Sequence, residues 1–237
     1  MTFPRTFNKV PAKLDTWTTS ISSQAYQDWL DYVKYVKVLT PYLSGGRKNP
    51  VLQSLGRAIE AKQAFNQHKA PDQWRLLNIE IICHAGSQNP GAVLSKIQRT
   101  QYGGGQPGAV EKYITELNHH TEEVLGFARQ YQGVWGITVN VRIHADWPDN
   151  TFVLGVGSGA YEAVARDTLT ADDCPCQFHP YGVDLNHIYS KLLRQFSGMW
   201  KSSLPADKWV ASHAEQVEAV SRHWDVYELH RRLRLPL

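Results

Sequence analysis

The chain has 237 residues, 42% of them hydrophobic and 20% charged, with 8 Trp and 11 Tyr, a composition that excludes a disordered chain and supplies a sizeable core. A net charge of +3, from 25 basic against 22 acidic residues, permits contact with a polyanion without demanding it. No apolar run reaches the roughly 18–20 residues that cross a bilayer, Met1-Thr2-Phe3-Pro4-Arg5 lacks the apolar core of a secretory signal, and three cysteines make no disulfide framework. A cytoplasmic protein with reduced thiols and no membrane partner is therefore expected.

Tyr26, Trp29, Leu30, Val33 and Val36 recur at helical spacing, Ser22 and Ser23 offer capping oxygens, and Pro41 bars continuation, which predicts a helix over 22–39. After a glycine loop containing Arg47-Lys48, Asn49-Pro50 supplies a cap and first-turn proline for a second helix carrying Leu52, Leu55, Ile59 and Phe65. Residues 1–70 thus read as a helical N-terminal extension, continuous with a core of residues 71–237. In that core the β-branched run 76–83 predicts a buried strand, 92–100 a short helix, and the glycines of 103–108 a hinge. The stripe Val110, Tyr113, Ile114, Leu117, Val124, Leu125, Ala128 and Tyr131 predicts a long helix over 109–131.

Ile137, Val139, Val141 and Ile143 then alternate with Thr138, Asn140, Arg142 and His144, the period of a strand with one buried face, and Thr151–Leu154 reads as its hairpin partner. A glycine bend, a short helical stretch over 162–169, and helices over 185–200 and 208–233 complete the chain. The expected fold class is α+β: a small, mainly antiparallel sheet of ferredoxin-like type packed by helices, with helical N- and C-terminal extensions.

Four groups of residues could carry chemistry. The polar face of the 137–144 strand lines up Asn140, Arg142 and His144, with Trp147 beyond its end. Arg forks onto phosphate oxygens and Trp stacks on bases, so an open face of this kind suits nucleic acid; a half-wet sheet with no function shows the same alternation. Arg231, Arg232 and Arg234 either complement a helix dipole or extend a basic stripe along a phosphate backbone. Cys174, Cys176, His179 and His187 gather ligands that zinc accepts, although structural zinc sites space paired cysteines by two to four residues. Cys83 and His84 end one strand and His144 another, so they could approach one another at one edge of the sheet; a thiolate beside an imidazole would be nucleophilic, whereas a buried thiol is inert.

The passage Val153–Tyr161, with Gly155, Gly157 and Gly159, resembles the nucleotide loop of S-adenosylmethionine-dependent methyltransferases, and Tyr181-Gly182-Val183-Asp184-Leu185 resembles their second strand ending in a ribose-binding acid. Gly155 stands where that family usually has an acidic residue, and Tyr161 where a third glycine is common. The resemblance implies cofactor contacts at the three glycines and Asp184; a glycine-rich β-bend is the competing reading.

The leading expectation is a nucleic-acid-associated binding or assembly protein using the strand face and the basic C-terminal helix. Its rivals are an enzyme acting on a nucleotide-like small molecule at the glycine bend, and a structural partner in a protein complex or homo-oligomer that docks through Trp200, Trp209 and Trp224. No particular cofactor is indicated.

Overall fold

Tyr35-Val36-Lys37-Val38-Leu39 places β-branched residues at every second position, and in the computed structural model it forms a strand, β1 (Tyr35–Leu39), with Val36 and Val38 buried on one face. The structure describes residues 16–39, 49–84, 109–144, 150–163, 174–182 and 187–208, with Glu218 and Arg222 beyond them; over 109–118 and at Asp207 only the backbone is described. The helix expected over 22–39 stops early. Its helical part is α2 (Gln24–Tyr32), capped by the Ser23 hydroxyl accepting from the Tyr26 amide, and Val33 is already extended. Val33 and Val36 fit both a helical and an alternating pattern, and pairing of the β1 backbone on both sides decided between them.

A short α1 (Trp17–Ile21) precedes α2; α3 (Pro50–Asn66) follows β1, with the Asn49 carboxamide oxygen accepting from the Val51 and Leu52 amides. The chain continues through β2 (Leu77–His84), α4 (Ala109–Gln130), β3 (Ile137–His144), β4 (Thr151–Gly155), β5 (Gly159–Ala163), β6 (Cys176–Pro180), α5 (Ile188–Ser202) and the two-residue β7 (Leu204–Pro205). The strands make one sheet in the order β6-β5-β4-β1-β2-β3-β7. Strands β1, β2 and β3 are parallel neighbours, because α3 and α4 are each long enough to carry the chain back over the sheet before the next strand begins. All other pairings are antiparallel.

The fold is α+β and the sheet mainly antiparallel, as expected, but it is larger than a ferredoxin-like one and includes two parallel pairings. The segment 1–70 supplies a strand from the middle of this sheet, β1, rather than helices alone. Glu162 and Ala163, expected to open a helix, close β5 instead. The helix over 92–100, the hinge over 103–108 and most of the helix over 208–233 lie outside the described residues; within the last, Arg222 and Glu218 form an i,i+4 ion pair.

The sheet is covered on both faces. Val36, Val38, Ile79, Ile81, Val141, Val153 and Tyr161 pack under α1 to α4, through Trp17, Ile21, Trp29, Leu55, Ile59 and Val124 among others. On the opposite face Leu39, Ile82, Phe152, Leu154 and Ala160 lie beneath Tyr189, Leu192 and Phe196 of α5. Each large side chain so buried stabilises the fold by roughly 1.5–3 kcal/mol. Among the described residues no helix is long and apolar enough to cross a membrane.

Candidate active site at the carboxyl ends of the parallel strands

Strands β2 and β3 stay in unbroken register from Leu77 opposite Ile137 to His84 opposite His144. Asn66 fixes where that register starts: its buried carboxamide donates to the Arg75 and Trp135 carbonyls at 3.1 and 2.8 Å and accepts from the Arg75 amide at 2.7 Å. Both strands therefore end level with each other on a histidine. The two side chains leave neighbouring strands on the same face, with their Cα atoms about 5 Å apart. Period-two alternation puts Ile82 and Arg142 on that face too, one step back. His84 is 2% and His144 7% exposed. The carboxyl ends of parallel strands are where open sheets with helical crossovers bind ligands, because the backbone leaves the sheet there and opens a crevice.

The last turn of α5 lands on this corner. Arg142 Nη1 donates to the Trp200 carbonyl at 2.7 Å, and the guanidinium stands 4.8 Å above the Trp200 ring. A cation here satisfies a terminal carbonyl and complements the negative end of the helix dipole. His144 Nε2 lies 3.0 Å from the Ser202 hydroxyl oxygen. Strand β7 then pairs Leu204 with Ile143 and Pro205 with Arg142, which clamps the helix end onto β3. Further along the same face Lys37 is ion-paired with Glu80, so its charge is already met.

Cys83 points to the other face, into the core beneath the helices, and burial pushes its thiol up to about 12. It is a protonated core residue at neutral pH. The structure thus brings His84 and His144 together, as the sequence allowed, and removes the thiol from the group.

The open strand face expected at Asn140, Arg142 and His144 is not there. Asn140 is exposed, but Arg142 caps a helix and His144 is buried beneath its end. Alternation along β3 could not reveal that a helix from fifty residues later would cover half of its polar row. Trp147, Arg231, Arg232 and Arg234 lie outside the described residues. Trp200, expected on a docking surface, stacks at 5.6 Å on Phe196 within α5 and beneath Arg142.

Gly155, Gly157 and Gly159 form the β4–β5 hairpin at the opposite end of the sheet, not a strand-to-helix nucleotide loop. Gly155 leaves room for Trp29, whose ring would lie 2.7 Å from an added Cβ, and Gly159 for Phe178 at 2.6 Å. Gly157, at φ +74°, takes the left-handed position of the turn. The glycines answer to packing and turn geometry, so the methyltransferase resemblance does not extend to structure; Asp184 lies outside the described residues.

The four candidate zinc ligands are not brought together. Cys174 and Cys176 are buried thiols on the side of α1, where the Trp17 amide donates to the Cys174 carbonyl, whereas His179 faces the α5 side and His187 stands exposed at the start of α5. Among the described residues no group of three or more His, Cys, Asp or Glu is placed to hold a metal. His179 instead bonds through Nε2 to Glu162 Oε2 at 2.9 Å, and Asn150 donates to Glu162 Oε1 at 2.7 Å. Nothing in the residue pattern marks Glu162, Asn150 or Ser202 as site residues. A wide groove of about 1000 Å³ lies elsewhere, between α3 and α4, lined by Arg57, Glu60, His119, Glu122, Arg129 and Tyr131 among others.

No protein-family model matches the chain, and no curated protein sequence matches it. Solved structures of similar fold include a phospholipase D family member, Nuc from Salmonella typhimurium, at 8% identity and a TM-score of 0.37 over 76% of this chain and 88% of that one. NucT from Helicobacter pylori gives the same values. Phosphatidylserine synthase from Haemophilus influenzae Rd KW20 gives 13% identity and a TM-score of 0.46 over 89% of this chain, which spans 42% of the synthase. At 13% identity or less the chemistry of this chain has to come from its own residues.

With Arg142 bonded to the Trp200 carbonyl and His144 buried beneath the end of α5, the strand face on which the expectation of a nucleic-acid-associated binding protein rested is covered, and that expectation is overturned.

Proposed function

We propose that this chain is a hydrolase that cleaves phosphodiesters by imidazole acid–base chemistry at the His84–His144 pair. The observation that carries the reading is the level register of the two histidines at the carboxyl ends of β2 and β3, beside Arg142. Two imidazoles borne on neighbouring strand ends can divide the work: the neutral one takes the proton of the attacking hydroxyl, and the protonated one gives a proton to the leaving alkoxide oxygen. The hydroxyl oxygen–phosphorus bond forms as the phosphorus–leaving-oxygen bond breaks, and one proton is taken up and one given in each cycle.

Arg142 supports a diester in particular. One of its five donors is bonded to Trp200, and among the described residues it has no carboxylate partner. A single guanidinium matches the single negative charge of a diester, and its remaining donors can hold the non-bridging oxygens as charge shifts onto them.

The test is release of p-nitrophenol from bis(p-nitrophenyl) phosphate by the purified chain and by His84→Asn and His144→Asn. Each variant is expected to lose roughly 10²–10⁴-fold in rate while melting cooperatively. Wild-type protein that fails to cleave the diester, or variants that cleave it at the parental rate, would rule the proposal out.

A further inference from the structure

We infer that Ser202 is the attacking nucleophile, so that turnover passes through a phosphoserine; the inference rests on the phosphodiesterase reading above. Three serines in and beside the last turns of α5 make the comparison that singles it out. The Ser197 hydroxyl donates to the Leu193 carbonyl at 2.8 Å and that of Ser203 to the Met199 carbonyl at 2.6 Å, the usual way a helical serine satisfies itself. Ser202 is different. Its contacts with the Gly198 and Met199 carbonyls are stretched to 3.3 and 3.2 Å, and its shortest contact, 3.0 Å, is with His144 Nε2.

A hydroxyl within hydrogen-bond reach of an imidazole, as Ser202 Oγ is of His144 Nε2 at 3.0 Å, is the contact by which a base activates a serine nucleophile. Ser202 is exposed whereas His144 is buried, so the attacking oxygen faces substrate and the base is shielded behind it. The helix end is held in place from three sides: by Arg142 on the Trp200 carbonyl, by the Ser203 bond, and by pairing of Leu204 with Ile143. Such over-determined placement is what an attack geometry needs.

The steps balance. Ser202 Oγ gives its proton to His144 Nε2 and bonds to phosphorus, the first ester oxygen leaves, and His84 supplies the proton that it needs. Water then gives a proton to the same pair and bonds to phosphorus, and the Oγ–phosphorus bond breaks with return of a proton to Ser202. The net reaction is diester plus water to monoester plus alcohol.

The experiment mixes bis(p-nitrophenyl) phosphate in excess with the full chain, records the first turnover, quenches in acid and maps the adduct by peptide mass. A burst of about one p-nitrophenol per chain and an acid-stable p-nitrophenyl phosphoryl group on the Ser202 peptide are expected. Ser202→Ala should abolish burst and adduct and lower turnover roughly 10²–10⁴-fold, while Ser197→Ala leaves both in place. Normal turnover by Ser202→Ala, or an acid-labile adduct on a histidine in an active enzyme, overturns the role of Ser202 and leaves the phosphodiesterase reading standing. Absence of any diester cleavage by the parent chain overturns both.

Discussion

Glu162 and His179 meet across β5 and β6, Oε2 to Nε2 at 2.9 Å, and the Asn150 amide donates to the second carboxylate oxygen at 2.7 Å. Both partners are buried, His179 at 5% and Glu162 at 8% exposure. Taking two ionisable groups out of water is costly, and their contact offsets that cost only while both are present. Glu162→Met is therefore expected to lower unfolding free energy by about 3–5 kcal/mol, because it strands the imidazole. Replacing both at once, as Glu162→Met with His179→Leu, should cost far less than the sum of the singles. Urea melts of the four proteins of this cycle check it; additive losses would show that the two do not act as a pair.

Alkaline pH should destabilise the protein through Cys83. Burial raises its thiol from 9.0 to about 12. A group raised on folding gives its full stabilisation below its unfolded value and loses it as pH climbs to the folded one, so the loss falls between pH 9.0 and about 12. Burial also raises Tyr26 and Tyr161, in each case with desolvation the main cause, and these phenols add to the same trend at higher pH. Stability should fall with a slope of roughly 1.4 kcal/mol per pH unit from the thiol alone. Cys83→Val should remove that part, as read from urea melts at pH 8 and pH 10.

Arg142 has two duties that substitution can separate. Arg142→Lys keeps a cation at the end of α5 but loses the planar fork that can hold two oxygens at once. Diester turnover should fall roughly 10–100-fold, the equivalent of one charge-assisted hydrogen bond, with little change in melting temperature. Arg142→Ala should lower both, since the Trp200 carbonyl loses its donor. Equal turnover by the lysine variant and the parent would remove Arg142 from substrate contact.

Much of this arrangement is legible in the sequence. Strand β3 was plain from Ile137 to His144, since four apolar residues alternate with four polar ones, and β2 from its β-branched run; that both ended beside a histidine was already the hint of a site. Strand β1 was hidden because Val33 and Val36 also fit the helical stripe that starts at Tyr26. Strand β6 was hidden because Cys176, His179 and Pro180 read as a ligand-bearing loop, while the pairing with β5 that makes it a strand is a property of distant sequence. The polar row of β3 looks open in the sequence because alternation tells which residues share a face and says nothing of what covers that face. Ser202 carried no signal at all: a serine in a last helical turn is ordinary, and only its position over His144 gives it meaning.

The central claim is that His84 and His144 act as a pair, and the pH dependence of kcat/KM for diester cleavage tests it most directly. One imidazole must be neutral while the other is protonated, so the parent chain should give a bell-shaped profile. His84→Asn and His144→Asn should each flatten one limb, and a different limb in each. A parent profile without two limbs, or one that keeps both limbs in either variant, would contradict the account.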